Sequence, residues 1–345
     1  MPSMKSTSEV VTLVLGAGAS RGVKYAPKME IPSPLDKDFF DLLQRVPLKG
    51  MKTSFRADTE KAIKAVVDSA LERPEDALWE SMEKMFYTLH LSAVMKNQLF
   101  DWNYANDPAK KTFKNFAYAM LALLRVAHGT QICSHHKRLF KLLGGEDAVI
   151  TFNYDLVSER ALKAAHPGVG LGDWVYAGLD TKTSPVSDMP RLHKLHGSVS
   201  WVSDEVGNEE EELKVKPRFW RKLDVLPGYT LRGGPNFPIL LPYWDKHVEK
   251  KPWLPIWTEA ARQLEKTTTL IVWGYSLPLT DPKARELFRL ASVKPDLKKV
   301  CVIDPSDETY QRWRRMFLHQ HFWRFQDIQD FFRFRKSPAA VALAF

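Results

Sequence analysis

Apolar positions follow two rhythms along this chain. Residues 10–15 (Val-Val-Thr-Leu-Val-Leu) form an unbroken apolar run, the pattern of a strand covered on both faces. Residues 148–152, 268–273 and 299–303 repeat it, and residues 191–196 read as a shorter strand. From Thr53 to about Leu143 the spacing changes to the helical 3.6. Ile63, Val66, Val67, Ala70 and Leu71 share one face; Leu78, Met82, Met85, Phe86 and Leu89 share a second. Phe113, Phe116, Ala117, Met120, Leu121 and Leu124 make a third, with punctuation at Pro74 and residues 103–108. These stripes read as helical core, not as cofactor contacts.

Local signals fill in the connections. Ser33 with Pro34 reads as a helix cap and first turn, residues 156–165 as a helix stopped before Pro167, and Asp281-Pro282 as another helix start. The acidic stretch 204–211 reads as a solvated loop. Strands alternating with helices predict an α/β fold with a Rossmann-like, doubly wound parallel sheet and a large all-helical insertion. The expected division is residues 1–50 and 146–310 for the sheet domain, 51–145 for the insertion, and 311–345 for a basic-aromatic helical segment.

Composition narrows the class. The 345 residues are 44% hydrophobic and 26% charged, as in globular proteins, and no apolar run nears the roughly 18 residues of a membrane helix. Residues 1–5 carry no apolar leader, and two cysteines, Cys133 and Cys301, make neither a disulfide framework nor a four-thiolate zinc site. The expectation is a cytoplasmic protein with no metal. The net charge of +9 permits an anionic partner. Much of the excess lies in Arg312, Arg314, Arg315, Arg324, Arg333, Arg335 and Lys336, interleaved with aromatics. That pattern fits a nucleic-acid surface or amphipathic closing helices with arginines reaching outward, and the second reading is preferred.

Each buried strand ends in small or polar residues, where ligands of parallel sheets bind. After the first comes Gly16-Ala17-Gly18-Ala19-Ser20, glycines that let a diphosphate approach the backbone. Arg21 replaces the third glycine of the dinucleotide fingerprint, which argues against a hydride-transfer dehydrogenase. Thr151-Phe152-Asn153-Tyr154-Asp155 follows the second strand and His196-Gly197 the third; Asp155 also suits a helix cap. Gly274-Tyr275-Ser276 and Asp304 end the last two. His193 lies on the strand face opposite His196, and His135-His136 reads as helical surface.

In this order the five motifs resemble the sirtuin-like, NAD-consuming family, particularly its bacterial antiviral-defence branch. The resemblance covers residues 10–40 and 146–310. It implies an inverted Rossmann-like sheet, with NAD+ as substrate over Gly16, Ala17, Gly18 and Ser20. It also implies Asn153 and His196 as the catalytic pair, with Asp155 at the nicotinamide or its ribose. Gly197, Gly274, Ser276 and Asp304 would complete the NAD site. The two CxxC zinc pairs of deacylating sirtuins are missing, as is their Gly-Ile-Pro-Asp-Phe-Arg segment; residues 31–35 read Ile-Pro-Ser-Pro-Leu. Protein deacylation is therefore disfavoured and NAD+ hydrolysis to nicotinamide and ADP-ribose preferred. The branch implies antiphage defence by NAD depletion, a homo-oligomer, and partners such as a HerA-type ATPase or a short Argonaute-type sensor. The rival reading is a non-catalytic subunit that binds NAD, ADP-ribose or nucleic acid.

Overall fold

The computed structural model describes residues 9–21, 31–46, 53–71, 80–85, 87–88, 119–120, 122–124, 126–128, 132–168, 175–179, 188–203, 215–217, 248–249 and 253–337. Leu78, Phe86, Leu89, Phe113, Phe116, Ala117 and Leu121 lie outside the described residues, as do Pro74, residues 103–108 and the acidic stretch 204–211.

Six strands form one parallel sheet. They are β1 (Val11–Leu15), β2 (Ala148–Thr151), β3 (Arg191–Lys194), β6 (Thr269–Trp273), β7 (Lys299–Ile303) and β8 (His321–Phe325). Two short strands, β4 (Trp201–Ser203) and β5 (Val215–Pro217), pair antiparallel apart from it. The sheet order is β3-β2-β1-β6-β7-β8, so the chain runs outward from β1 to one edge, returns, and fills the other half. This is the order of doubly wound dinucleotide-binding sheets, with the switch between β1 and β6.

The register levels the strand ends. Leu15 lies opposite both Thr151 and Trp273, Thr151 opposite Lys194, and Ile303 opposite both Trp273 and Phe325. Gly16, Phe152, Leu195, Gly274 and Asp304 therefore leave the sheet along one line. Hydrophobicity explains the positions: β2 and β6 are buried throughout, whereas β8 at one edge buries only Phe325.

Helices cover the sheet: α4 (Ser134–Phe140), α5 (Val157–Ala165), α6 (Trp253–Glu265), α7 (Pro282–Ser292), α8 (Asp307–Met316) and α9 (Ile328–Phe334). Earlier in the chain come α1 (Ala17–Arg21), α2 (Phe39–Gln44) and α3 (Thr53–Leu71). A second core gathers Phe39, Phe40 and Leu43 of α2 with Val66, Met85, Met120 and Leu123. Leu156 and Val199, which follow the ends of β2 and β3, belong to this core. Val66, Met85, Met120 and Leu123 of the helical stretch thus pack against that corner of the sheet's carboxyl edge, and Met85 and Met120 serve as core.

Three local expectations need correction. Ser33 caps no helix: its hydroxyl meets His128 Nε2 at 3.2 Å, its carbonyl accepts from Arg21, and a 3-10 turn at Asp36–Asp38 leads into α2. The stretch after residue 310 is not all helix, because 321–325 add strand β8. His136 is not on the surface but 1% exposed, with its ring centroid 4.3 Å from that of Trp273. Burial pushes its pKa down to about 3.

Candidate active site

The floor of the site is two strand-end turns pressed together. Gly16 N–H donates to the Trp273 carbonyl at 3.1 Å and Gly18 N–H to the Gly274 carbonyl at 2.9 Å. A Cβ on Gly16 would stand 2.4 Å from the Gly274 oxygen, and one on Gly274 would stand 2.0 Å from the Ala19 nitrogen. The glycines are needed first for this contact between backbones. Gly274 also has φ +64°, a conformation that costs a side chain roughly 1–2 kcal/mol. Gly274→Ala should lose that amount plus about 1–3 kcal/mol of overlap, read as a lower denaturation midpoint. A loss under 0.5 kcal/mol would show that the turns can part.

Above this floor Asn153 is fixed by its amide. Its Nδ2 donates to the Gly16 carbonyl at 2.9 Å and to Ser20 Oγ at 3.4 Å. Ser20, 1% exposed, donates in turn to Asp155 Oδ2 at 2.9 Å. Asp155 Oδ1 accepts Val157 N–H at 2.9 Å, so the carboxylate also serves the first turn of α5. Burial works to raise the Asp155 pKa, but His128, Lys194, the Val157 N–H and Ser20 together hold it below the usual carboxylate value. His128 comes from the helical stretch, 3.9 Å from Asp155, and burial keeps its own pKa low.

The third segment closes against the second. Leu195 N–H donates to the Thr151 carbonyl and Val199 N–H to the Tyr154 carbonyl, both at 3.0 Å. Between these bonds Gly197 turns with φ +86°. His196, 6% exposed, packs against Phe152 and Tyr154, ring centroids 5.1 and 6.1 Å away. Phe152 lies flat on Tyr275 at 3.9 Å, a stack worth about 0.5–1.5 kcal/mol that ties the β6 loop to the same place. From that loop Asp281 reaches His196, with Oδ2 and Nε2 3.0 Å apart.

The structure therefore brings together Gly16, Gly18, Ser20, Asn153, Asp155, His196, Gly197 and Gly274, with Ala17 exposed at the turn. Ser276 and Asp304 are tied to α8 instead. The Ser276 carbonyl accepts from Arg312, and the Asp304 carboxylate accepts Ser306 N–H at 2.8 Å. Burial raises the Asp304 pKa against the opposing pull of Ser306 and Arg324. His193 is buried with its pKa pushed down to about 3, a core residue as expected.

Sequence reasoning missed Asp281 and His128. Asp281-Pro282 was legible only as a helix cap, a role it does fill through Ala284 N–H at 3.2 Å. His128 gave no signal. Among the described residues no group of three or more His, Cys, Asp or Glu is placed to hold a metal ion. Cys133 caps α4 through its sulfur, its thiol raised to about 11 by burial, and Cys301 lies within β7. No described helix is long and apolar enough to cross a membrane.

Similar solved structures include a Sir2 homolog–NAD complex, 16% identical over 92% of this chain and 84% of that one, TM-score 0.43. A Sir2 complex with the inhibitor EX-527, 2'-O-acetyl-ADP-ribose and a deacetylated p53 peptide is 15% identical over 96% and 94%, TM-score 0.40. A Sir2–p53 peptide–NAD+ complex is 14% identical over 96% and 94%, TM-score 0.41. No curated protein matches the chain. The model of the SIR2-like domain matches residues 147–323, a span that holds Asn153, His196, Gly274 and Asp304, and the chain belongs to that family.

Proposed function

We propose that this protein hydrolyses NAD+ at the nicotinamide–ribose bond, releasing nicotinamide and ADP-ribose. The observation that carries this reading is the joining of the Asn153 and His196 segments, with the imidazole packed between the residues on either side of Asn153. Family membership supports NAD+ as the substrate, since SIR2-like proteins are NAD-dependent enzymes.

The chemistry asks little of the protein. The C1'–nitrogen bond breaks with its electrons going to the pyridinium, which leaves as neutral nicotinamide, so the acid of ordinary glycoside hydrolysis is not needed. Water bonds to C1' and gives its proton to His196, the general base. Asn153 spends its N–H donors on Gly16 and Ser20, so its Oδ1 is the atom that accepts from a ribose hydroxyl or from the water. Ser20 and Asp155 hold that amide in place. Gly16, Ala17, Gly18, Gly197, Gly274, Ser276 and Asp304 line the dinucleotide site on this reading.

The deciding experiment incubates purified protein with NAD+ and follows nicotinamide release, with and without an acetylated peptide and with and without a zinc chelator. Release that needs no peptide and is indifferent to chelation is expected. Peptide-dependent release, or loss on chelation with rescue by zinc, would replace hydrolysis by deacylation. The defence role implied by the motif set makes the protein a cytoplasmic effector. It would work as a homo-oligomer or beside a HerA-type ATPase or short Argonaute-type sensor, and its test is whether cellular NAD+ falls on phage infection.

The basic C-terminal stretch does not favour the nucleic-acid reading. Arg314 donates to the Phe317 carbonyl, Arg324 pairs with Asp307 and Arg333 with Asp330, while Trp313, Phe317, Phe331 and Phe332 are buried. Replacing Arg314, Arg315 and Arg333 by Gln should leave NAD+ hydrolysis unchanged. DNA binding by the parent should be weak and should fall steeply between about 50 and 200 mM salt. Tight binding at physiological salt, lost in the triple variant, would reinstate nucleic acid as a partner.

A further inference from the structure

Asp281 does two things with one carboxylate. Oδ1 accepts Ala284 N–H and caps α7; Oδ2 turns to His196 Nε2 at 3.0 Å. A cap alone requires neither the second contact nor the burial of both side chains, 3% and 6% exposed. We infer that Asp281 is the positioning residue of His196, holding its imidazole as the Nε2–H tautomer and making Nδ1 the nitrogen that takes the proton. This rests on His196 being the base of the proposed hydrolysis.

Donor counting gives the tautomer. An ionised carboxylate can only accept, so Nε2 carries the hydrogen in this pair and the protonation change falls on Nδ1. The Ala284 N–H donates to Asp281 Oδ1, a contact that favours a carboxylate over a carboxylic acid. When Nδ1 gains a proton, the imidazolium stays beside an anion, where an isolated buried cation would be costly.

Other elements also face the pair. Tyr154 comes from the β2 end and Tyr275 from the β6 loop. The Tyr275 hydroxyl has its pKa raised by burial first and then by Asp281 and Glu83. Glu83 of the helical stretch accepts from Thr280, next to Asp281, and Arg285 of α7 donates to the Leu277 carbonyl. Lys194 lies two residues before His196, engaged with Glu159.

Asparagine caps helices as well as aspartate does, so Asp281→Asn keeps the cap and removes the charge, whereas Asp281→Ala removes both. In Asp281→Asn we expect a near-parental melting temperature and nicotinamide release slower by about 100- to 10,000-fold. The His196 pKa should fall by about 1–3 pH units, moving the acid limb of the rate profile the same way. Nitrogen NMR of labelled histidines, with His196 assigned by its absence in His196→Gln, should show the Nε2–H tautomer in the parent and its loss in Asp281→Asn. Asp281→Ala should add a drop in melting temperature. An unchanged tautomer and pH profile in Asp281→Asn would overturn the pairing even if NAD+ hydrolysis and its need for His196 stand. A parent inactive on NAD+ whose His196 tautomer still depends on Asp281 would remove the hydrolysis and keep the pairing.

Discussion

Asn153→Ala and His196→Ala should each slow nicotinamide release by about 100- to 10,000-fold, the usual span for removing a general acid–base group or its equivalent in positioning. The two should fail differently. His196→Ala removes the proton acceptor, and the surviving rate should lose its acid limb in a pH profile. Asn153→Ala removes an acceptor for the ribose or water, and it also frees the Gly16 carbonyl from a 2.9 Å bond. That loss costs on the order of 1 kcal/mol, too little to unfold the domain. Circular dichroism and a denaturant midpoint should therefore remain close to the parent while turnover falls. Near-parental turnover in either variant, at saturating NAD+, would remove that residue from the chemistry. Ser20→Ala gives an intermediate test: it takes a donor from Asp155 and an acceptor from Asn153 without touching the base. A smaller loss of rate than in Asn153→Ala is expected.

What the sequence showed of this site depended on how completely each segment is buried. β1, β2, β6 and β7 announce themselves because parallel strands covered on both faces select unbroken apolar runs. Their motifs could be placed at one edge from pattern alone. β8 is half-open, so it alternates aromatics with His321 and Arg324, and adjacent helices share that same mixture. Nothing local separated the strand from them. The pairs that finish the site were equally hidden, because they join residues distant in sequence: 85 positions part His196 from Asp281, and Asp155 to Ser20 spans 135. Asp281 satisfied a local rule, helix capping, and so concealed its second contact. His136 shows the reverse: adjacent histidines near a basic run look solvated, yet a cysteine cap turns one ring against Trp273 in the core.

Lys194→Ala should cost about 3–5 kcal/mol, the range for breaking a buried ion pair by removing one partner. The Lys194 Nζ and Glu159 Oε1 are 2.9 Å apart with both side chains fully buried. Nζ also donates to the Asp155 carbonyl at 2.5 Å, so the pair holds the backbone just past Asn153. Glu159 further accepts from Tyr176 at 2.9 Å, and truncating the lysine leaves its charge in place without a cation. Against a total stability of roughly 5–15 kcal/mol, that loss is large enough to lower the denaturation midpoint severely. The cause can be separated from lost packing by the double variant Lys194→Met, Glu159→Gln. The methionine fills the space, and the glutamine carbonyl still accepts from Tyr176 while the Glu159 charge is gone; the buried Asp155 carboxylate loses Lys194 as a neighbour but keeps His128, the Val157 N–H and Ser20. The double variant should recover most of the loss, leaving on the order of 1–3 kcal/mol for the unmet Asp155 carbonyl. A Lys194→Ala penalty under 1 kcal/mol, or a double variant less stable than the single one, would mean that uncompensated charge is not what the pair prevents. If the double variant folds yet binds NAD+ poorly, the bond from Lys194 to the Asp155 carbonyl is what sets the Asn153 loop.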